Sequence, residues 1–380
     1  MHITDNFDSG NIRVITAADA NNIQLEIKHD NQSDFYQWFH FKLHNELDVN
    51  GNRQEHIMQI KNTENSAFPG GWKNYQAVAS YDRQYWFRVP TQYSDSVLTI
   101  TFTPEFDSAY LAYFAPYSYE RHQDLLHNAQ MHTHCQLQVL GQTIDGREMS
   151  LLTIGEAGDG KRNIWITARQ HPGETMAEWF VEGMLDRLLD EDDGVARALL
   201  NKAVFYIVPN MNPDGSVRGH LRTNAVGANL NREWLEPTMD RSPEVYLVRE
   251  KMLAVGVDMF LDVHGDETIP ANFVAGCEGV VAYDTRHKAL EDKFKEIMLA
   301  ITPEFQDELG YEKEQPGKAN PTIGTHWVGN QFTCLAYTIE MPFKDNKFLP
   351  DDTVGWSDER SRILGRDFLT GIYHMVDDLR

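Results

Sequence analysis

The sequence predicts an α/β fold, a mixed and largely parallel sheet with flanking helices, preceded by an all-β sandwich. Up to about residue 118, short apolar runs, several of them clearly alternating, recur between turn residues such as Asn50-Gly51-Asn52 and Pro69-Gly70-Gly71. Beyond residue 136 strand-length apolar runs take turns with helical patterns, the signature of strands joined by helical crossovers. The chain has 380 residues, room for two domains at roughly 100 to 200 residues each. The expected division is a β-sandwich domain over 1–118 and an α/β domain over 119–380.

In the first part strands are expected at 13–15, 23–27, 35–43, 57–60, 85–89, 97–102 and 110–114, followed by a polar helical connector from Tyr117 to Asn128. In the second, 136–140 and 149–154 flank Asp145-Gly146 as a hairpin. Strands follow at 163–169, 203–208, 257–263 and 334–340. Helices are expected at 175–190, 243–254, 286–300 and 361–378, where apolar residues such as Met176, Phe180, Met184 and Leu188 recur at helical spacing.

The net charge of −23 argues against nucleic acid or an anionic membrane as partner, because phosphate surfaces repel it. No apolar run approaches the ~18 residues of a membrane span, and the start has neither the basic nor the apolar region of a signal peptide. The three cysteines, Cys135, Cys277 and Cys334, are odd in number and far apart, which suits reduced thiols. A cytoplasmic location is therefore expected.

Chemistry concentrates where strands end. Residues 163–167 read as a strand, and Ala168-Arg169-Gln170-His171-Pro172-Gly173-Glu174-Thr175 then sets a histidine and a carboxylate three positions apart at the start of a helix. A second apolar run, 257–263, leads into His264. Two imidazoles and one carboxylate suit zinc, and three protein ligands leave a fourth position open for water, the pattern of a catalytic rather than a structural site. Carboxyl ends of strands are where α/β sheets bind ligands.

Water on zinc needs a proton acceptor, and a tetrahedral intermediate needs donors at its oxyanion. Glu340, near the end of the apolar run Leu335 to Phe343, is the candidate base, since a charge there is costly unless paired or used. Arg222, after the turn Asn212-Pro213-Asp214-Gly215, is the candidate oxyanion donor. Asn231 and Arg232, side by side in Asn229-Leu230-Asn231-Arg232-Glu233-Trp234, offer an amide and a guanidinium that can grip a carboxylate.

In that order the segments ARQHPGET, NMNPDG, GANLNREW, LDVHGDE and YTIEMPF resemble the M14 zinc metallocarboxypeptidases. The HPGET form, with WFHFKL and AYFAPYSYER in the β module, is most similar to the cytosolic carboxypeptidase subfamily. The resemblance implies one Zn²⁺ per chain held by His171, Glu174 and His264. It implies Glu340 as general base and proton donor, Arg222 as carbonyl and oxyanion polariser, and Asn231 with Arg232 as the terminal-carboxylate clamp. The implied partners are the C-terminal tails of peptides or proteins, acidic tails and deglutamylation among them. Two departures stand out: Gly173 occupies the place of an arginine in the secreted pancreatic-type members, and no segment matches their substrate-capping tyrosine.

Plainer readings compete. His171 with Glu174 also fits a helix start, His264 alone fits a hydrogen-bonded core histidine, and Glu340 alone fits a buried ion pair. Arg222 and Arg232 also fit surface ion pairs. Asn212 to Gly215 reads as a turn and nothing more. His132-Thr133-His134-Cys135 makes a rival metal cluster, but it falls at the domain junction and no carboxylate accompanies it. Asp262 and Asp266 flank His264 and are candidates to orient it. Two further functions stay open at this point: a zinc-dependent deacylase of small N-acyl amino acids, and a binding protein whose zinc site has lapsed.

Overall fold

The computed structural model describes every residue except 46, 49 and 380. Two five-stranded sheets form the N-terminal part. One orders His2–Thr4, His40–His44, Ser108–Ala112, Val78–Ser80 and Phe87–Arg88, and the other Arg13–Thr16, Ile23–Glu26, His56–Ile60, Val97–Phe102 and Thr91–Ser94. The alternation read from the sequence is what joins them: Leu25, Met58, Ile60, Leu98 and Ile100 of the second sheet meet Phe41, Leu43, Ala109 and Leu111 of the first in one core. The expected strand 35–43 is found as His40–His44, and Tyr36 to Phe39 are buried ahead of it without joining the sheet ladder.

The α/β part is a seven-stranded mixed sheet in the order Cys135–Gln142, Glu148–Ile154, Ala203–Val208, Arg162–Ala168, Met259–Asp266, Leu335–Pro342 and Phe273–Ala275. The four strands from Ala203–Val208 to Leu335–Pro342 run parallel, and antiparallel strands close both edges. Both faces are covered, as an apolar parallel sheet requires. Ile164, Ile166, Leu261, Val263 and Ile339 face helices Met176–Leu188, Thr285–Ile301 and Asp358–Met375. Trp165, Phe260 and Ala336 face Pro243–Val255 and Gly324–Phe332.

Helices Met176–Leu188 and Asp358–Met375 lie backbone to backbone. A Cβ at Gly365 would stand 2.0 Å from the Phe180 carbonyl oxygen, so only glycine fits there. The segment Asn212 to Gly215 is more than the turn expected of it. Pro213 and Asn212 are well suited to the first turn and the cap of a helix, and they open Pro213–Arg218, with the Asn212 side chain accepting from Gly215 N. No helix of the described residues is long and apolar enough to cross a membrane, and no disulfide joins the three cysteines.

Candidate metal centre and active-site cleft

Strand Arg162–Ala168 delivers the chain to a sharp bend at Arg169, whose φ of +58° is left-handed. Its side chain fixes that bend, donating to Pro172 O at 2.9 Å and to Glu178 at 2.7 Å. His171 and Glu174 follow in the short loop before helix Met176–Leu188. His264 lies inside strand Met259–Asp266, directly opposite Glu340 on the parallel neighbour Leu335–Pro342. Two parallel strands and one strand-to-helix loop therefore bring the four side chains to the carboxyl edge of the sheet.

The three expected ligands converge. One ligand atom from each of His171, Glu174 and His264 lies within 4.8 Å of the others, and the two imidazole centroids are 4.9 Å apart. Both Nδ1 atoms face the Glu174 carboxylate, His171 to Oε1 and His264 to Oε2, each at 2.7 Å. Behind them, the outward Nε2 of His171 meets Asn229 Oδ1 at 3.0 Å and that of His264 meets Asp262 Oδ2 at 3.0 Å. An imidazole held from behind by an oxygen presents its other nitrogen in a fixed direction, the arrangement that metal-binding histidines use. The donor set, its spacing and its outer partners fit zinc.

Asp262 is itself anchored, accepting from Thr167 Oγ1 at 2.8 Å and Gln170 Nε2 at 2.6 Å. Asp266, the other candidate orienter, turns instead to the Tyr311 hydroxyl, 2.8 Å away. His132 and His134 are exposed, and among the described residues they form no metal group.

Charge at the centre follows from these contacts. Burial drives His171 down to about 4, helped by the Arg222 cation. Burial acts the same way on His264, but the Asp262 and Glu174 carboxylates outweigh it and hold that imidazole well above its ordinary value. Burial would raise Glu174, yet the two imidazoles together hold it low. Two histidines on one carboxylate thus move in opposite directions, because one faces an arginine and the other a second acid.

Glu340 is buried. Desolvation, with Glu174 and Asp266 adding to it against the pull of His264, raises its carboxyl well above the usual range. Oε1 accepts from the Tyr311 hydroxyl at 3.0 Å, while Oε2 is buried with no hydrogen-bond partner among the described residues. A buried oxygen left open beside a metal-ligand triad is a place for a further polar group.

Arg222, Asn231 and Arg232 line the same cavity as the triad and Glu340, a space of about 590 Å³. Asn231 Oδ1 accepts from Gly324 N at 2.8 Å, which turns its amide nitrogen toward His264, 3.5 Å away. Arg232 donates to Asn231 O at 2.6 Å. Burial and the neighbouring Arg222 lower its pKa, so the two cations share one region. All seven residues expected from the sequence thus meet in one cleft.

Tyr311, Asn229 and Gln170 went unread. Tyr311 lies in the irregular stretch between helices Thr285–Ile301 and Gly324–Phe332, where no period marks a residue. Asn229 and Gln170 stood next to motif residues in the sequence, but only the folded loops reveal their partners.

Residues 123–355 match the family model described as zinc carboxypeptidase, and residues 3–114 that of the cytosolic carboxypeptidase N-terminal domain. The solved structure of a metallo-carboxypeptidase from Pseudomonas aeruginosa, in complex with (2-guanidinoethylmercapto)succinic acid, is 47% identical with a TM-score of 0.96, covering 100% of both chains. A metallo-carboxypeptidase from Burkholderia cenocepacia is 48% identical with a TM-score of 0.95, covering 99% of each. Human cytosolic carboxypeptidase 1 is 30% identical over 332 residues, 73% of this chain but only 26% of that protein.

Proposed function

Since the chain belongs to the zinc carboxypeptidase family, and is a metallocarboxypeptidase, we propose that His171, Glu174 and His264 hold one zinc ion and that the surrounding residues release the C-terminal residue of peptide or protein tails. Zinc, when bound, supplies a Lewis acid for the scissile carbonyl and lowers the pKa of water. Glu340 takes the proton of the attacking water on its open Oε2 and passes it to the leaving amine. Arg222 donates to the oxygen that gains charge. Asn231 and Arg232 hold the terminal carboxylate and so restrict cleavage to the chain end. In this reading 119–380 is the catalytic domain and 1–118 a separate module. The likeness to cytosolic carboxypeptidases supports a cytoplasmic location.

The observation that carries this reading is the gathering of all seven residues on one cavity with the Glu340 oxygen left open. The test is to incubate zinc-loaded protein with peptides whose C-termini are free or amidated and to follow the products by mass spectrometry. Loss of single residues from the free end supports the proposal. Equal processing of both ends overturns the clamp, and turnover of N-acyl amino acids but not of peptides moves the function to a deacylase.

The wall beyond the clamp bears on the departing side chain. Ala275 pairs with Thr338 along the edge of the sheet, and Glu278, Glu314 and His326 line the same cavity. An acidic side chain, raised by the family resemblance, needs an uncommitted cation there. Lys313 already faces Glu278 at 3.2 Å and Lys295 faces Asp307 at 2.6 Å, whereas Glu314 Oε2 is buried without a hydrogen bond among the described residues and meets His326 Nε2 only at 3.9 Å. These charges support a basic departing residue over an acidic one. The compound bound by the Pseudomonas protein, a guanidino arm on a dicarboxylic acid, fits the same polarity. Peptides differing only in a terminal Lys, Arg, Glu or Phe decide it, and fastest release of Glu overturns the preference.

A further inference from the structure

We propose that Asp30 of the N-terminal module is a positioning residue for Arg222, so that the module completes the active site of its neighbour. This rests on the catalytic reading above. Asp30 is buried, and its carboxylate accepts from three consecutive main-chain nitrogens: Leu221 at 2.7 Å, Arg222 at 2.8 Å and Thr223 at 2.9 Å, with Thr223 Oγ1 at 3.1 Å. One carboxylate satisfying three adjacent N–H groups fixes the direction in which the middle residue leaves the backbone, because such charge-assisted bonds are short and strong.

The Arg222 side chain is held by the same module. Its guanidinium carbon lies 5.5 Å from the Phe35 ring centroid and 5.2 Å from that of Phe68. Contact through ring faces leaves the in-plane N–H donors open, and among the described residues no carboxylate forms an ion pair or hydrogen bond with them. An arginine held by rings, with its donors uncommitted and turned to the cavity beside His171, suits an oxygen that gains charge only during reaction.

The surrounding loop is clamped to the same turn. Asn31 N donates to His220 Nε2 at 3.0 Å and Asn31 Nδ2 to Ala225 O at 2.7 Å. Gly227 comes so close that a Cβ would stand 2.4 Å from Gln32 O. The clamp also reaches the metal loop, since Leu221 O accepts from Gly173 N at 2.9 Å. Asp30, Leu221 and Gly173 thus form one hydrogen-bonded path from the β module to the residue beside Glu174.

The test compares zinc-loaded wild type, Asp30→Asn, Arg222→Ala and the double variant on a peptide with a free C-terminus. Asparagine keeps the shape but turns an amide toward N–H groups that need an acceptor. Asp30→Asn is expected to lower kcat about tenfold or more with KM little changed, less than the loss of about 10²–10³ expected for Arg222→Ala. Zinc content should be unaltered. On the Arg222→Ala background the Asp30 change should cost nothing further. Binding of a phosphonate peptide, a tetrahedral mimic, should weaken in Asp30→Asn while binding of the released amino acid does not. Unchanged kcat in Asp30→Asn, or the same loss on both backgrounds, overturns the proposal. If Asp30→Asn does not fold, Phe68→Leu replaces it in the same cycle with the same criteria. A wild type that hydrolyses nothing would instead overturn the catalytic reading.

Discussion

His264 and Glu340 stand directly opposite each other on adjacent parallel strands, so one metal-ligand candidate and the candidate base are spaced by the sheet itself. A base fixed in this way depends little on loop order and much on its own chemistry. Replacing Glu340 with Gln keeps volume and hydrogen-bonding shape but removes the proton acceptor. The expected loss in kcat is about 10²–10⁴-fold, with one zinc per chain retained. A variant that keeps its metal and its rate would exclude Glu340 from proton transfer.

Arg232 and Asn231 lie at the same end of the cleft, beside Gly324. Losing one charged hydrogen-bonding partner of a carboxylate costs about 1.5 to 3 kcal/mol. Arg232→Ala should therefore raise KM for free C-termini by about 10- to 100-fold and narrow the preference over amidated peptides. Steady-state kinetics on the matched pair checks both numbers, and a KM that rises equally for the two ends would remove the clamp.

Glu174 lies between the two imidazoles, 2.7 Å from each Nδ1, so one ion held there would tie the loop before helix Met176–Leu188 to strand Met259–Asp266. Chelation should abolish turnover and lower the thermal midpoint, and zinc should restore both. Ligand at a hundred times its dissociation constant adds about 2.7 kcal/mol. A midpoint that chelator leaves unmoved would argue against a bound ion.

Glu244, in the first turn of helix Pro243–Val255, is buried, and its carboxylate meets its own main-chain N–H and, at 3.3 and 3.4 Å, Asn224 Nδ2. Burial raises its pKa from 4.5 to about 8. The folded chain keeps a proton that the unfolded chain releases over this range, so the group's share of stability is whole below pH 4.5 and is lost as pH rises through about 8. Glu244→Gln should melt higher than wild type at about pH 9, the gap closing toward about pH 5. Calorimetry across that range checks the sign, and a gap that widens on acidification would contradict it.

Much of this could be read from residues alone where a period or a spacing exists. Helix Pro243–Val255 and strand Ala203–Val208 follow their apolar patterns to within a residue, and His171, Glu174 and His264 announce a ligand set by type and placement. The edge strand Phe273–Ala275 is too short to carry a pattern, and helix Gly324–Phe332 holds two internal residues, Gly329 and Thr325, that weaken one. Asp30 and Tyr311 escaped for another reason. Their roles come from partners far along the chain, Arg222 and Glu340, and no local spacing encodes such a pairing.

The bare contact at Gly365 sets where the protein will accept change. A methyl group there presses on the carbonyl of Phe180, one turn into the very helix that Glu174 introduces. Remoteness from the cleft is thus a poor guide to harmlessness: a single hydrogen replaced between two helices presses on the helix that the metal-ligand loop leads into.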